Sequence, residues 1–223
     1  MMLSRTQLIT VLLLVAAGFA ASAWYFPQLP EQVPTHWNWR GEVDQYGPKW
    51  INAWLLPAVA ASLPLLMMGL PALGPMRRNF AEFRETYGRF VVLMTAMFVA
   101  LHIVILLQTA GVKFGIGSAI SVILGGAFVL MGNWFGKIRR NFYLGIRTPW
   151  TLANEQVWDR THRVGGRLFM LSGLVAVIAG FTAPQWVAAI VLFSSLIGTA
   201  VWTLVYSYLI YRKLEPEDAQ TTP

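Results

Sequence analysis

Long apolar stretches separated by polar segments dominate this chain. A helix of about 20 apolar residues is long enough to cross the hydrocarbon core of a bilayer. Six stretches approach or exceed that length: Leu8–Phe26, Ile51–Leu73, Phe90–Ala110, Phe114–Phe135, Leu168–Ala183 and Gln185–Tyr211. The fifth is short and meets the sixth in a tight turn at Pro184. The pattern predicts an all-α fold, a polytopic bundle of six transmembrane helices.

The polar segments divide the chain into two regions. Residues 1–75 hold the first two spans, joined by a long loop at residues 27–50. Residues 76–223 hold the other four spans and a second long loop at residues 136–167. The last segment, residues 214–223, is acidic and polar, and we expect it to be disordered.

Composition agrees with a bilayer environment. Charged residues make up 12% of the chain and hydrophobic residues 56%, whereas a soluble domain is about a quarter charged. The formal net charge is +7, but the cations fall between the spans and form no soluble basic face, so no direct contact with nucleic acid is predicted. The chain has no cysteine, which excludes a disulfide framework, a thiol nucleophile and Cys-ligated zinc. We interpret the first apolar stretch as an uncleaved span, because further spans follow it.

The distribution of cations predicts the orientation in the membrane. If the N-terminus is cytoplasmic, all but three of the 17 Lys and Arg residues lie on the inner side; the exceptions are Arg40, Lys49 and Lys113. Cytoplasmic loops of membrane proteins carry the excess of such residues. We therefore predict that both termini are cytoplasmic, that the loop at 27–50 is an outer loop, and that the loop at 136–167 is an inner loop.

The outer loop combines aromatic and polar side chains. A small ordered cap on the outer mouth of the bundle is predicted, since Trp, Tyr and Arg suit contact with a peptide or lipid. Its candidate ligand-facing residues are His36, Trp37, Asn38, Glu42 and Asp44. One His and two carboxylates on a loop are also the residue types of a metal site, but no metal is predicted here.

The inner loop contains signals for a further helix. Thr148 followed by Pro149 is typical of a helix start, and Gly165-Gly166 is typical of a stop. Between them, Trp150, Val157 and Val164 share one face. This spacing predicts one amphipathic helix along the inner membrane surface.

A second stripe of that helix leaves two interpretations open. Glu155, Asp159 and His162 follow an i, i+4, i+7 spacing, so they could serve a membrane-embedded enzyme at the cytoplasmic surface. They could equally form local ion pairs. No P-loop, nucleophile elbow or zinc-protease motif is present, so no catalytic residue and no cofactor are predicted.

Polar residues inside the spans also leave alternatives. Pro57, Pro64 and Pro71 lie seven apart in the second span, and each frees the carbonyl four residues earlier, which predicts either a kinked packing helix or a hinge beside a polar cavity. His102 lies near the middle of the third span, where it is either a neutral hydrogen-bonded group or a functional one. No span contains Asp or Glu, which argues against a proton-coupled transporter, although a small transporter remains a further alternative.

Two runs of residues carry a resemblance to a known family. The inner run includes Asn141, Gly145-Ile146-Arg147-Thr148-Pro149-Trp150-Thr151-Leu152, Val157-Trp158, Thr161-His162-Arg163 and Gly165-Gly166. It resembles the signature of the SdpI-type immunity protein family. The outer run, Pro34-Thr35-His36-Trp37-Asn38 followed by Gly41-Glu42-Val43-Asp44 and Gly47, is similar to the domain of unknown function that often precedes it.

The resemblance implies a non-enzymatic protein of the bacterial cell membrane that protects against a secreted antimicrobial peptide. It also implies membrane lipid as a partner, and a cytoplasmic repressor to which the presence of the peptide is relayed. The outer loop would then face the toxin. The inner loop would contact the partner through Asn133, Lys137, Asn141, Arg147, Thr148, Trp150, Thr151, Glu155, Trp158, His162 and Arg163.

Overall fold

The computed structural model describes residues 3–73 and 79–214. The predicted inner cations Arg77 and Arg78, and all of the predicted disordered tail except Leu214, lie outside these residues. The helices are α1 (Arg5–Tyr25), α2 (Lys49–Leu73), α3 (Asn79–Thr109), α4 (Ile116–Phe135), α5 (Pro149–Ala153), α6 (Glu155–Thr182) and α7 (Gln185–Leu214). The strands are β1 (Gln32–Trp37) and β2 (Val43–Pro48).

The predicted bundle of six spans is confirmed. In the described part of the chain, all of these helices except α5 are long and apolar enough to cross a membrane. Short turns join α3 to α4 and α6 to α7 on the same side as the strands, which we call the hairpin end. Residues 136–154, called the connector, include α5 and join α4 to α6 at the opposite, connector end.

The loop at residues 27–50 contains a β-hairpin, which the sequence analysis described only as an ordered cap. The strands β1 and β2 pair antiparallel, with Val33 opposite Gly47. Val33 is fully buried and packs with Leu29 and with Leu106 of α3. This apolar contact fixes the hairpin on the mouth of the bundle.

The prediction of one amphipathic helix in the inner loop is wrong, although its start at Pro149 is confirmed, because the backbone is extended at Asn154 and two helices form. The helix α5 ends at Ala153, and α6 begins at Glu155 and continues through Gly165 and Gly166 to Thr182. A Cβ on Gly166 would lie 2.6 Å from the carbonyl oxygen of Gly132 in α4. Gly166 therefore permits close backbone packing between α4 and α6, and the glycine pair does not end a helix.

The proline-rich helix α2 finds partners for two of its freed carbonyls. The hydroxyl of Ser22 donates to the Ala53 carbonyl, four residues before Pro57, at 2.5 Å. The hydroxyl of Tyr87 donates to the Met67 carbonyl, four residues before Pro71. Neighbouring helices thus satisfy backbone groups that proline leaves unpaired, which favours the packing interpretation of these prolines.

His102 takes part in the same group of hydrogen bonds around the Ser22 hydroxyl. Its ring is fully buried, and Nε2 is 2.8 Å from the Ser22 hydroxyl. Because that hydroxyl also donates to the Ala53 carbonyl, Ser22 of α1 links α2, through Ala53, to α3, through His102. The interpretation of His102 as a group hydrogen-bonded across helices is therefore supported.

A core of aromatic side chains lies under the connector. The helix α3 begins 11 residues before the predicted third span, and this extension carries Phe80, Phe83 and Tyr87. These rings pack with one another and join Phe90 and Trp158 in one buried cluster. The connector thus lies on a packed base.

Candidate functional site

The predicted site residues gather at the two ends of the bundle. His36, Trp37, Asn38, Glu42 and Asp44 lie at the hairpin end. The other predicted residues lie at the end of α4, in the connector or in the first turns of α6. The structure therefore contains two separate candidate surfaces.

Two of the predicted hairpin residues shape the turn between the strands. Asn38 Oδ1 accepts from the backbone N–H groups of Arg40 and Glu42 at 2.9 and 3.1 Å, and Asn38 Nδ2 donates to the Glu42 carboxylate at 3.0 Å. Gly41 completes the turn with φ +80°, a conformation that favours glycine. Asn38 and Glu42 are therefore committed to local structure.

His36 and Asp44 form an exposed cross-strand pair. His36 Nδ1 lies 2.6 Å from Asp44 Oδ1, while the carboxylate of Glu42 turns to Asn38. Within the described residues, no three His, Asp or Glu side chains come together as a metal-binding group. This hairpin therefore presents a polar pair to solvent.

A cavity of about 380 Å³ lies beneath the hairpin. Trp37 closes it from the hairpin side, Ser121 of α4 lies in its wall, and Ala189 and Phe193 of α7 complete it. The lining is mainly apolar. The indole N–H of Trp37 is buried and has no hydrogen-bond partner among the described residues. Such a cavity suits an apolar group.

Gln185 joins the three walls of this cavity, and the sequence analysis missed it. Its Nε2 donates to the Arg40 carbonyl at 3.0 Å, and its Oε1 accepts from the Gly117 N–H at 3.4 Å. Beside it, Trp39 packs edge-on against Trp186 at 6.4 Å, and the Arg40 guanidinium lies over Trp39. No local pattern marks Gln185, because its partners are distant in sequence.

At the connector end, Asn141 organises a tight turn. Its side chain is fully buried. Oδ1 accepts from the N–H groups of Tyr143 and Leu144 at 2.8 and 2.7 Å, and Nδ2 donates to the carbonyls of Arg139 and Leu144 at 2.8 and 3.0 Å. Four hydrogen bonds to backbone use the whole capacity of one amide.

His162 fixes the connector to α6. Its Nε2 accepts from the Ile146 N–H at 2.9 Å, and its Nδ1 lies 2.8 Å from the Trp158 carbonyl. These partners assign the neutral tautomer with the proton on Nδ1. Gly145, with φ +110°, leaves room for the ring, since a Cβ there would collide with Nε2. The indole of Trp158 stacks on His162 and donates to the Ile138 carbonyl at 2.7 Å.

Thr148 and Thr151 start the short helix α5 and bind it to α7. Each side chain accepts from the backbone N–H of the other, which forms a reciprocal cap. The Thr148 hydroxyl lies 3.0 Å from that of Ser207 in α7. Thr151 donates to the Ile146 carbonyl at 2.9 Å, so both threonines are buried structural groups.

The proposed enzyme face is not assembled. His162 is buried with both ring nitrogens engaged, whereas Glu155 is exposed in the first turn of α6 and Asp159 is partly exposed. A ring nitrogen already bound to backbone is not available as a base or metal ligand. The alternative that uses Glu155, Asp159 and His162 together therefore has no geometric support.

The six remaining predicted residues at the connector end are at least partly accessible. Trp150 is half-buried, with its ring 5.1 Å from that of Tyr208. Arg147 is exposed and donates to the Phe142 carbonyl. The other exposed members are Asn133, Lys137, Glu155 and Arg163. We call these six residues the connector face.

The start of α3 supplies contacts that the sequence analysis did not identify. Asn79 donates to the Arg140 carbonyl at 2.8 Å, and Glu82 pairs with Arg139 at 3.1 Å. Arg140 in turn donates to the carbonyls of Leu152 and Ala153. The helical spacing of Phe80, Phe83 and Tyr87 was the available signal that α3 extends beneath the connector.

Comparison with known proteins confirms the predicted resemblance. Residues 137–207 match the SdpI/YfhL protein family, and residues 13–61 match a domain of unknown function, DUF1648. The chain is 25% identical over 203 residues to a Bacillus subtilis (strain 168) protein named Immunity protein SdpI, covering 91% of this chain and 95% of the relative. No solved structure matches the chain. Together with the six spans, these matches identify a multi-pass bacterial membrane protein.

Proposed function

Since residues 137–207 of this multi-pass membrane protein carry the SdpI/YfhL family match, we propose that it is an immunity protein that protects a cell against a secreted antimicrobial peptide. One observation carries the proposal: the similarity to a protein named Immunity protein SdpI extends over 91% of the chain. Similarity at that coverage includes both the hairpin and the connector.

The proposed orientation places the hairpin outside the cell and the connector in the cytoplasm. The support is the distribution of charge, since the exposed cations Lys137, Arg147, Arg160 and Arg163 gather at the connector end. Positive segments are retained on the cytoplasmic side during insertion. A peptide arriving from outside then meets the hairpin first.

The cavity beneath the hairpin is the proposed contact for the peptide. Its apolar walls accept an aliphatic or aromatic side chain. Trp39, Arg40 and Trp186 lie at the surface beside it. Aromatic and Arg side chains around an apolar pocket are typical of strong peptide contacts.

A survival assay tests this proposal. The protein is expressed in a sensitive Gram-positive host, which is then challenged with secreted antimicrobial peptides of Bacillus subtilis, the organism of the similar immunity protein. We expect protection by the wild type and its loss in Ala189→Phe, because the new ring fills the cavity. The matched control is Ala200→Phe, on an exposed position of the same helix. Absence of protection by the wild type at normal membrane abundance contradicts the proposal.

In the same proposal, the connector face relays the presence of the peptide to a cytoplasmic repressor. Arg147, Lys137 and Arg163 present positive charge there, and Trp150 presents an aromatic surface. Comparing His36→Ala with Arg147→Ala separates the two functions. We expect His36→Ala to reduce survival and Arg147→Ala to leave survival intact while repressor recovery with the membrane fraction falls. Equal recovery in wild type and Arg147→Ala contradicts a relay through this face.

A further inference from the structure

Two depressions adjoin on one side of the bundle near the connector end. One is a polar cleft between the start of α1 and the start of α3, with Ser4 and Arg84 in its lining. The other is an apolar groove of about 350 Å³. They share Thr6, Gln7 and Arg89, so the polar cleft opens directly into the apolar groove.

The groove follows the membrane-spanning surface. Its walls are Thr10 of α1, Val92, Leu93 and Ala96 of α3, and Leu130 and Trp134 of α4. From Arg89 to Ala96 it extends about 10 Å along the axis of α3. Because these three helices are long and apolar enough to cross a membrane, the medium that covers the groove is lipid hydrocarbon. Trp134 lies near the polar end, where indole rings favour the headgroup region.

The polar cleft contains one arginine, Arg84, that has no carboxylate partner among the described residues. Its two carboxylates are paired, Glu85 with Arg89 at 2.5 Å and Glu82 with Arg139 at 3.1 Å. Arg84 is exposed and forms no ion pair within residues 3–73 and 79–214. The exposed hydroxyls of Ser4 and Thr6 lie at the N-terminal end of α1, whose helix dipole also favours an anion.

The two walls of the cleft are held together before any ligand binds. The Gln7 side chain donates to the Glu85 carbonyl at 3.1 Å and also completes the cap on Ser4. Gly88 permits this approach, since a Cβ there would collide with the Gln7 amide. A preformed site loses less conformational entropy on binding.

We infer that this composite site binds one anionic glycerophospholipid of the leaflet at the connector end. The lipid phosphate lies against Arg84 and Arg89, with the hydroxyls of Ser4 and Thr6 beside it. One acyl chain occupies the groove between α1, α3 and α4. This site is distant from the hairpin cavity and does not depend on the immunity proposal.

Native mass spectrometry of the whole protein, released from bilayer nanodiscs, tests the inference. The nanodiscs contain phosphatidylglycerol and phosphatidylcholine in equal amounts. The wild type is expected to retain one phosphatidylglycerol. An arginine near a lipid surface contributes about a fivefold change in affinity, so Arg84→Gln/Arg89→Gln is expected to retain the lipid about 25-fold less tightly. The charge-matched control is Arg160→Gln/Arg167→Gln, exposed positions of α6.

A second variant tests the groove without changing charge. Ala96→Phe fills the groove and is expected to release the lipid, whereas Ala200→Phe on α7 is expected to retain it. Glycerophosphoglycerol, which has the headgroup but no acyl chains, is expected to compete poorly. Equal retention of the two lipids by the wild type overturns the inference. So does unchanged retention in Arg84→Gln/Arg89→Gln, or full competition by the free headgroup.

Discussion

Single polar side chains determine the shape of the connector. Asn141 saturates four backbone groups, and His162 receives the Ile146 N–H from across the loop. Both side chains are buried, so each lost bond would leave a backbone group without water to replace it. The local fold therefore depends on residues whose polar atoms never reach a partner protein.

Replacing Asn141 is expected to destabilise the protein. Asn141→Ala leaves the N–H groups of Tyr143 and Leu144 without their acceptor, and the expected loss is about 2–3 kcal/mol of unfolding free energy. The measurement is thermal unfolding in detergent, with size-exclusion chromatography used to monitor the folded fraction at each temperature. Asn133→Ala, an exposed position, is the control and should melt with the wild type. Similar melting of the Asn141 and Asn133 variants would show that the turn does not need the amide.

At this scale, five of the residues that were predicted to contact a partner have side chains buried in the fold. Asn141, Thr148, Thr151, Trp158 and His162 were all predicted to contact a partner, and all are buried. A motif records which residue types a loop requires, but the same types serve binding and turn formation. The distinction depends on partners such as Ser207, 59 residues from Thr148, which local spacing does not reveal.

Among the helices, α4 and α6 make the closest contact, and glycine provides it. A Cβ on Gly125 would lie 2.7 Å from the Gly173 carbonyl oxygen, and one on Gly132 would meet the carbonyl of Gly166. At these positions the two backbones come into direct contact. Such contacts supply dispersion energy where lipid removes the usual hydrophobic driving force.

Gly132→Ala is expected to force α4 away from α6. Inserting a methyl group into a packed interface costs about 1–3 kcal/mol, so the melting temperature should fall. Gly126→Ala on the same helix is the matched control, because a Cβ there meets no atom within 4 Å. The control should be neutral or slightly stabilising, since alanine favours helix over glycine. Equal melting of the two variants would contradict backbone packing at Gly132.

A second prediction at this scale concerns how much the hydrogen bond from Tyr87 to the Met67 carbonyl contributes to stability. Tyr87→Phe removes the hydroxyl that serves this carbonyl, which Pro71 leaves free, and should cost about 1 kcal/mol. In a Pro71→Ala background the N–H of residue 71 can bond the same carbonyl, so the cost of Tyr87→Phe should fall. A double-mutant cycle of unfolding measures this coupling, and strict additivity would contradict it.

The helices themselves were largely predictable, because hydrophobic length determines a span. The ends of the helices were harder to predict from the sequence. Gly165-Gly166 resembled a stop in isolation, yet the pair lies inside α6, where Gly166 packs against Gly132 of α4. The extension of α3 from Asn79 was missed because charged residues interrupt its aromatic spacing.

For the whole molecule, the predicted orientation is open to a direct experiment. The chain has no cysteine, so single cysteines can report which side each end faces. Tyr46→Cys lies on the exposed hairpin, and Gln156→Cys is exposed in the first turn of α6. In intact cells, a membrane-impermeant maleimide should label the first variant and not the second. Permeabilised cells provide the control, in which both should react, and labelling of Gln156→Cys in intact cells would reverse the orientation.

The glycine contacts between α4 and α6 also bear on how a displacement at one end of the bundle would reach the other end. α4 starts at the wall of the hairpin cavity and ends at the connector, about 30 Å away. Along this length, Gly125 and Gly132 bring the α4 backbone directly against the backbone of α6. We therefore expect the two helices to move as one body, so that a displacement of α4 beside the hairpin cavity would also tilt α6 at the connector end.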